Sequence, residues 1–213
     1  MDEKTLNSTP EELDQADKLI KSNAEFILSV AHLSQLPNDN LPEIAFAGRS
    51  NVGKSSIINA LTAQRGLAKT SNTPGRTQML NFFKLAQKIY LVDFPGYGFA
   101  KAPESMVKQW QKVIFAYLQG RVNLRRVFLL IDSRHGIKKV DSDIMELLDK
   151  AAVTYQIVLT KIDKISSAEL SKVLLSTQEI IKNHAAAYNK ILCTSSDKNL
   201  GISELRVEIA KFI

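Results

Sequence analysis

The chain has 213 residues, 45% of them hydrophobic and 23% charged, with 28 Lys and Arg against 22 Asp and Glu. That size suits one α/β domain with a short appendage and crowds two, and the composition is that of an ordinary soluble globular protein. The single cysteine, Cys193, excludes an internal disulfide framework, and the longest strongly apolar runs, such as Val127 to Ile131, are too short to span a bilayer. A cytoplasmic monomer with no membrane partner is expected, and the net charge of +6 hints at an anionic partner.

Residues 1–22 read as a polar N-terminal extension, either helical from Thr9-Pro10-Glu11-Glu12 or partly disordered, and residues 23–213 as a single domain. Ala24 to Leu36 is more apolar and is expected to pack on the domain. Glu43 to Ala47 gives the first core strand, followed by a glycine loop and the helix-compatible run Ser56 to Leu61. Thr70 to Gln78, rich in Ser, Thr, Asn, Pro and Gly, reads as a long mobile loop.

Two strands then follow, Leu80 to Leu85 and Lys88 to Asp93, close enough to pair as a hairpin around Ala86-Gln87. Trp110, Ile114 and Tyr117 mark a helix over Ser105 to Leu118. Val127 to Asp132 reads as a buried strand, Ser142 to Ala152 as a helix, Tyr155 to Thr160 as a strand and Ala168 to Tyr188 as a long helix. Ile191 to Thr194 and Ser203 to Phe212 supply the last strand and helix. The alternation predicts a three-layer α/β/α fold of the P-loop NTPase type, its sheet mainly parallel with one antiparallel edge strand. Arg121, Arg125, Arg126, Arg134, Lys138 and Lys139 cluster near the middle, either as a basic rim or as solvated charge.

The strongest chemical signal is Gly48-Arg49-Ser50-Asn51-Val52-Gly53-Lys54-Ser55, which spells G-x-x-x-x-G-K-S directly after a strand and before a helix. The glycines let consecutive backbone N–H groups face phosphate oxygens, Lys54 reaches the β- and γ-phosphates, and the Ser55 hydroxyl is placed to ligate Mg²⁺. Asp93-Phe94-Pro95-Gly96 ends a strand, where open α/β sheets bind ligands. There Asp93 can hold Mg²⁺ through water and the Gly96 N–H can touch a γ-phosphate. Thr160-Lys161-Ile162-Asp163 ends another strand. The Asp163 carboxylate can accept two hydrogen bonds from guanine, which adenine lacks, while the Lys161 stem lies along the base. Thr194-Ser195-Ser196 would complete that pocket.

These motifs, together with Thr73-Pro74-Gly75-Arg76-Thr77-Gln78 and Tyr97-Gly98-Phe99-Ala100, resemble the bacterial EngB (YihA/YsxC) family of translation-factor-class GTPases from about Phe26 to the C-terminus. Several threonines of the mobile loop would serve as a second Mg²⁺ ligand. The resemblance picks Thr77, making Ser55 and Thr77 the direct ligands, and implies catalytic roles for Lys54, Thr77 and Gly96. It further implies GTP contacts from Gly48 through Ser56 (Gly48, Arg49, Ser50, Asn51, Val52, Gly53, Lys54, Ser55, Ser56), from Gly75, Arg76, Thr77, Gln78 and Met79, from Asp93 to Gly96 (Asp93, Phe94, Pro95, Gly96), and from the two base-pocket motifs.

The same resemblance implies partnership with the large ribosomal subunit and its rRNA, and a part in septation. Tyr97 stands where many small GTPases carry a water-positioning glutamine, which predicts slow intrinsic hydrolysis, and Asn51 suggests a K⁺ ion in place of an arginine finger. Arg76 is a rival cation. An aromatic surface including Tyr97 and Phe99 is expected to be presented conditionally by the switch at Phe94 to about Ala102. A metabolic kinase or ATPase would share the phosphate loop without needing Asp163, and a scaffold with a dead site would not need Lys54, Ser55, Thr77 and Asp93 together.

Overall fold

The structure is a computed structural model and describes residues 8–21, 24–68, 79–98 and 104–213, the stretch 104–111 by its backbone. In chain order its elements are α1 (Pro10–Ile20), β1 (Ala24–Val30), β2 (Glu43–Gly48), α2 (Lys54–Thr62), β3 (Leu80–Leu85), β4 (Ile89–Asp93), α3 (Glu104–Gly120), β5 (Leu124–Asp132), α4 (Lys139–Lys150), β6 (Tyr155–Thr160), α5 (Ser167–Ile181), β7 (Ala187–Cys193) and α6 (Ile202–Ala210). The strands form one sheet in the order β1-β3-β4-β2-β5-β6-β7. The antiparallel strand, expected at the edge, lies one in from it: β3 runs antiparallel to both its neighbours, so β1, outside it, points the same way as the rest.

β2 shows why this is a three-layer fold. All six of its residues are buried, a pattern that only a strand covered on both faces can carry. Its side chains alternate between two cores, Ala45 and Ala47 belonging to one and Ile44 and Phe46 to the other. β5 repeats this with Val127, Leu129 and Ile131 against Phe128 and Leu130. The first core takes in Ile114, Tyr117 and Leu118 of α3 and Met145 and Leu148 of α4. The second takes in Ile57, Ile58 and Leu61 of α2 and Ile202, Leu205 and Ile209 of α6. The site-bearing loops leave the carboxyl ends of β2, β4, β6 and β7, at one edge of this slab.

The N-terminal helix is built as its sequence suggests. The Thr9 hydroxyl accepts from the Glu12 N–H at 3.2 Å, the Glu12 carboxylate accepts from the Thr9 N–H at 2.7 Å, and Pro10 opens the first turn. α1 lies against α6 through Arg206, whose side chain is 2% exposed. Its guanidinium donates to Asp17 at 2.8 Å and to the Ala60 and Leu61 carbonyls at 2.7 and 2.8 Å. One cation thus joins α1, α6 and the C-terminal end of α2, where positive charge is favoured.

Three further expectations are corrected here. Ala24–Val30, expected only to pack on the domain, is a strand at the sheet's edge, with Val30 in one core and Ala24 in the other. The long helix expected to run to Tyr188 ends at Ile181, and β7 starts at Ala187. Propensity favours helix over the alanines 185–187, but Asp149 at the end of α4 overrides it by engaging His184 Nδ1 at 2.6 Å and the Ala186 N–H at 2.9 Å.

Nor do the clustered basic residues form one rim. β5 separates Arg121, Arg125 and Arg126 from Arg134, Lys138 and Lys139 by about 25 Å, and most have partners inside the protein. Arg121 binds the buried Glu43 carboxylate. Arg126 is stacked 4.1 Å from the Tyr188 ring and 4.9 Å from that of Phe212, and Arg134 chelates Asp132.

Replacing Arg206 with Ala leaves the Ala60 and Leu61 carbonyls without their donor and Asp17, a quarter exposed and still paired with Lys21, with one partner fewer. Urea unfolding of the Arg206→Ala variant is expected to show a loss of about 3 kcal/mol.

Candidate functional site

The phosphate loop is shaped by two left-handed residues, Asn51 (φ 61°) and Gly53 (φ 106°), between β2 and α2. Gly48 is required by packing: a Cβ there would lie 2.8 Å from Val52 Cγ1 and 3.1 Å from the Leu130 carbonyl oxygen. The loop's carbonyls are taken up by its neighbours. Gly48 O accepts from the Tyr97 N–H at 3.3 Å, Val52 O from the Thr160 hydroxyl at 2.7 Å, and Asn51 O from the Lys161 ammonium at 2.6 Å. The loop is therefore clamped from β4's end on one side and β6's end on the other.

Lys54 opens α2, and its ammonium is in direct contact with the Asp93 carboxylate at the end of β4. Both side chains are nearly buried, at 12% and 10% exposure. Ser55 and Ser56 follow in the same helical turn, half-buried. Gly96 sits over the loop, where an added Cβ would meet Ser50 atoms at 3.1 to 3.3 Å.

On the other side of the loop, a cleft of about 180 Å³ is lined by Val52, Gly53, Ser56, Lys161, Asp163 and Ser196, among others. Lys161 adopts a left-handed conformation (φ 58°), unfavourable for a residue with a Cβ and characteristic of functional turns. Besides Asn51 O, its ammonium binds Asp132 at 2.9 Å. Asp132 in turn accepts from Arg134 Nε at 2.9 Å and Nη2 at 2.7 Å. Burial raises the Asp132 pKa, but hydrogen bonds from Arg134 and Lys161 outweigh it and hold the carboxyl far below its ordinary range.

Asp163 starts the next turn. The Ser195 hydroxyl, with the Lys164 ammonium behind it, holds its carboxyl below the usual value. Its Oδ2 is buried and, although Lys164 Nζ is 2.9 Å away, accepts no hydrogen bond. The Ser195 region is folded by a tight turn: Ser195 and Leu200 exchange backbone hydrogen bonds of 2.9 and 3.0 Å, and the Lys198 N–H donates to Ser195 Oγ at 3.0 Å. Gly201 (φ 66°) closes it with the Cys193 carbonyl only 1.9 Å from where a Cβ would stand, so no other residue fits.

Of the residues singled out from sequence, Gly48, Ser50 through Ser56, Asp93, Gly96, Thr160, Lys161, Asp163, Ser195 and Ser196 converge on this edge of the sheet. Four contribute differently. Phe94 is buried in the core with its ring against Tyr117 at 5.6 Å, and the Thr194 hydroxyl is spent on the Leu159 carbonyl at 3.0 Å. The Arg49 side chain lies beside Gly98, with Cγ and Nε 3.8 Å from where a Cβ there would be. Met79 is 39% exposed just before β3. Gly75, Arg76, Thr77, Gln78 and Phe99 lie outside the described residues.

Cys193 closes β7 with its thiol pushed up to about 11 by burial. Tyr97, expected on a presented aromatic surface, is instead 7% exposed, its phenol donating to Asp141 at 2.7 Å. Sequence reasoning also passed over Asp132, Arg134 and Gly201 as site residues, Arg134 being read only as clustered charge. The first two had a signal, an Asp-x-Arg directly at a strand's carboxyl end.

A parallel sheet with a phosphate loop after β2, a carboxylate–lysine pair at β4 and an acceptor-lined cleft at β6 and β7 defines a P-loop G domain. A family model described as 50S ribosome-binding GTPase matches residues 43–161. The chain is 52% identical over 203 residues, 95% of itself and 89% of the relative, to "Probable GTP-binding protein EngB" of Caulobacter vibrioides. It is 57% identical over 197 residues, 88% and 92% respectively, to the protein of the same description from Bartonella tribocorum. A solved crystal structure of a probable GTP-binding protein engB shares the fold with a TM-score of 0.64, 21% identity, and coverage of 80% of this chain and 97% of that one. The chain belongs to the EngB family of GTP-binding proteins.

Proposed function

We propose that the chain is a guanine-nucleotide switch that hydrolyses GTP slowly and acts in assembly of the large ribosomal subunit, with normal septation depending on it. One observation carries the guanine reading: Asp163 Oδ2, a buried acceptor without a hydrogen bond, in the wall of the cleft beside the phosphate loop. Guanine's N1–H and 2-amino group are donors that would satisfy it beside the Lys164 ammonium 2.9 Å away, whereas adenine offers neither. Lys161, fixed by Asp132 and Asn51 O, lays its stem along the base.

Ser55 and Asp93 are oxygen donors of the kind Mg²⁺ takes, and with Thr77 they would hold it, Asp93 through water. When bound, the ion neutralises charge on the β- and γ-phosphate oxygens. Lys54, beside Asp93, is within reach of the same phosphates, and Gly96 offers its N–H to the γ-phosphate. Slow hydrolysis follows from Tyr97, whose phenol is engaged inward with Asp141 rather than available to orient water.

The ribosomal partner is supported by the family description and by the +6 net charge, which suits rRNA. Among the described residues no helix is long and apolar enough to cross a membrane; a cytoplasmic site of action goes with the proposed ribosomal partner.

The Asp163→Asn variant presents one acceptor and one donor instead of two acceptors. Its affinity for GTP is expected to fall at least about 100-fold and its preference to pass to xanthosine triphosphate, whose 2-oxo group accepts. Nucleotide titration checks this, and a variant that still prefers GTP would refute the assignment.

Co-sedimentation with isolated large subunits at near-physiological salt is expected to require a non-hydrolysable GTP analogue. Binding that ignores the nucleotide would remove the ribosomal role while leaving the nucleotide chemistry intact. Exchanging Na⁺ for K⁺ is expected to speed phosphate release if Asn51 helps hold a monovalent cation, and an unchanged rate, with and without the subunit, would discard that role.

A further inference from the structure

Tyr97 is anchored at both ends. Its backbone is zipped onto the phosphate loop: the N–H donates to Gly48 O at 3.3 Å, and the carbonyl accepts from the Ser50 N–H at 3.0 Å and from Ser50 Oγ at 3.3 Å. Its phenol reaches the other way and donates to Asp141 Oδ1 at 2.7 Å. Asp141, 1% exposed in the first turn of α4, uses its second oxygen to accept from the Lys138 N–H at 2.9 Å. The tyrosine therefore ties β4's loop to the phosphate loop and to the start of α4 at once.

The ring's surroundings reinforce this. An apolar void of about 10 Å³, at the lower limit of what one water occupies and without polar lining to hold it, is lined by Tyr97 with Ala47, Phe94, Ile114, Leu118 and Leu147. Burial first, and then the neighbouring Asp141 carboxylate, push the phenol well above its ordinary pKa, so it stays protonated and donates. Gly96 stands directly before Tyr97 and within van der Waals reach of Ser50. Whatever fixes Tyr97 fixes the Gly96 N–H.

We propose that Tyr97 is a positioning residue for γ-phosphate recognition: pinned between the phosphate loop and Asp141, it pre-places the Gly96 N–H and links that contact to α4. This deepens the switch function proposed above and depends on it. Only a triphosphate meets the Gly96 N–H. If the loop is already ordered, the triphosphate gains the hydrogen bond without an ordering cost. If the phenolic anchor is lost, that cost falls on the triphosphate complex and not on the diphosphate complex. Arg49, whose side chain lies over Gly98 near Tyr97 and Asp141, and Lys138 at the helix start are the cations facing the pair.

The experiment measures affinities of the full chain for fluorescent GDP and for a fluorescent non-hydrolysable GTP analogue, in wild type, Tyr97→Phe, Asp141→Ala and the double variant. Tyr97→Phe keeps the ring in its place and removes one hydroxyl. It is expected to weaken the GTP analogue about 5- to 10-fold while GDP stays within about 2-fold. In the double variant the loss for the GTP analogue should be less than the sum of the single losses, because both remove the same bond.

Equal weakening of both nucleotides, the sign of a merely structural role, would overturn the proposal, as would no change in either. Should Asp141→Ala fail to fold, Tyr97→Phe against wild type decides alone. Wild-type protein that binds neither guanine nucleotide would overturn the switch function itself, a result distinct from loss of the split between the two.

Discussion

The loop between β2 and α2 depends on having its carbonyls satisfied from outside. A chain segment that turns consecutive N–H groups inward toward an anion must point carbonyls outward, and buried carbonyls need donors. Here the donors come from both flanks: the Tyr97 N–H after β4, the Thr160 hydroxyl at the end of β6 and the Lys161 ammonium just beyond it. The strand order places β4 and β5 directly beside β2, with β6 next after β5, so the sheet itself delivers these donors. Residues of the motif assigned to base recognition, Thr160 and Lys161, thus also serve as the loop's scaffold. Lys161 is the clearest case, its ammonium spent on Asn51 O and Asp132 while its stem borders the cleft.

This double use explains why the site was so legible in the sequence. G-x-x-x-x-G-K-S after an apolar strand has few structural alternatives, and Asp93 and Asp163 fall at strand ends that the alternation of apolar runs had already marked. β2, β4, β6 and β5 from Val127 on are buried on both faces and read as largely hydrophobic segments. The hairpin turn was also readable from spacing, although Ala86 and Gln87 adopt left-handed angles (φ 51° and 55°) without the Asn-Gly pair usual there.

What stayed illegible depends on contacts distant in sequence. β1 is an edge strand with Phe26 51% exposed, so it lacks the period that marks a half-buried strand. The end of α5 is set by Asp149 on another helix, against the local preference of three alanines. The basic cluster dissolves because β5 carries its two halves to opposite ends of the sheet and Glu43, Glu208 and Asp132 neutralise several members. Tyr97 looks like a switch-surface aromatic until Asp141, 44 residues further on, is seen to accept its hydrogen bond.

The pair formed by Lys54 and Asp93 has a thermodynamic consequence. Each is the other's counter-ion in a nearly buried place, where an uncompensated charge is costly. An anion that draws the ammonium away leaves a carboxylate with unspent affinity for a cation, and a cation that occupies the carboxylate leaves an ammonium with unspent affinity for an anion. The two guests therefore favour each other's arrival without needing to touch, and by reciprocity each does so by the same factor. Through that exchange a site of this kind acts as a logical conjunction, answering to an anion and a cation together more strongly than to either alone.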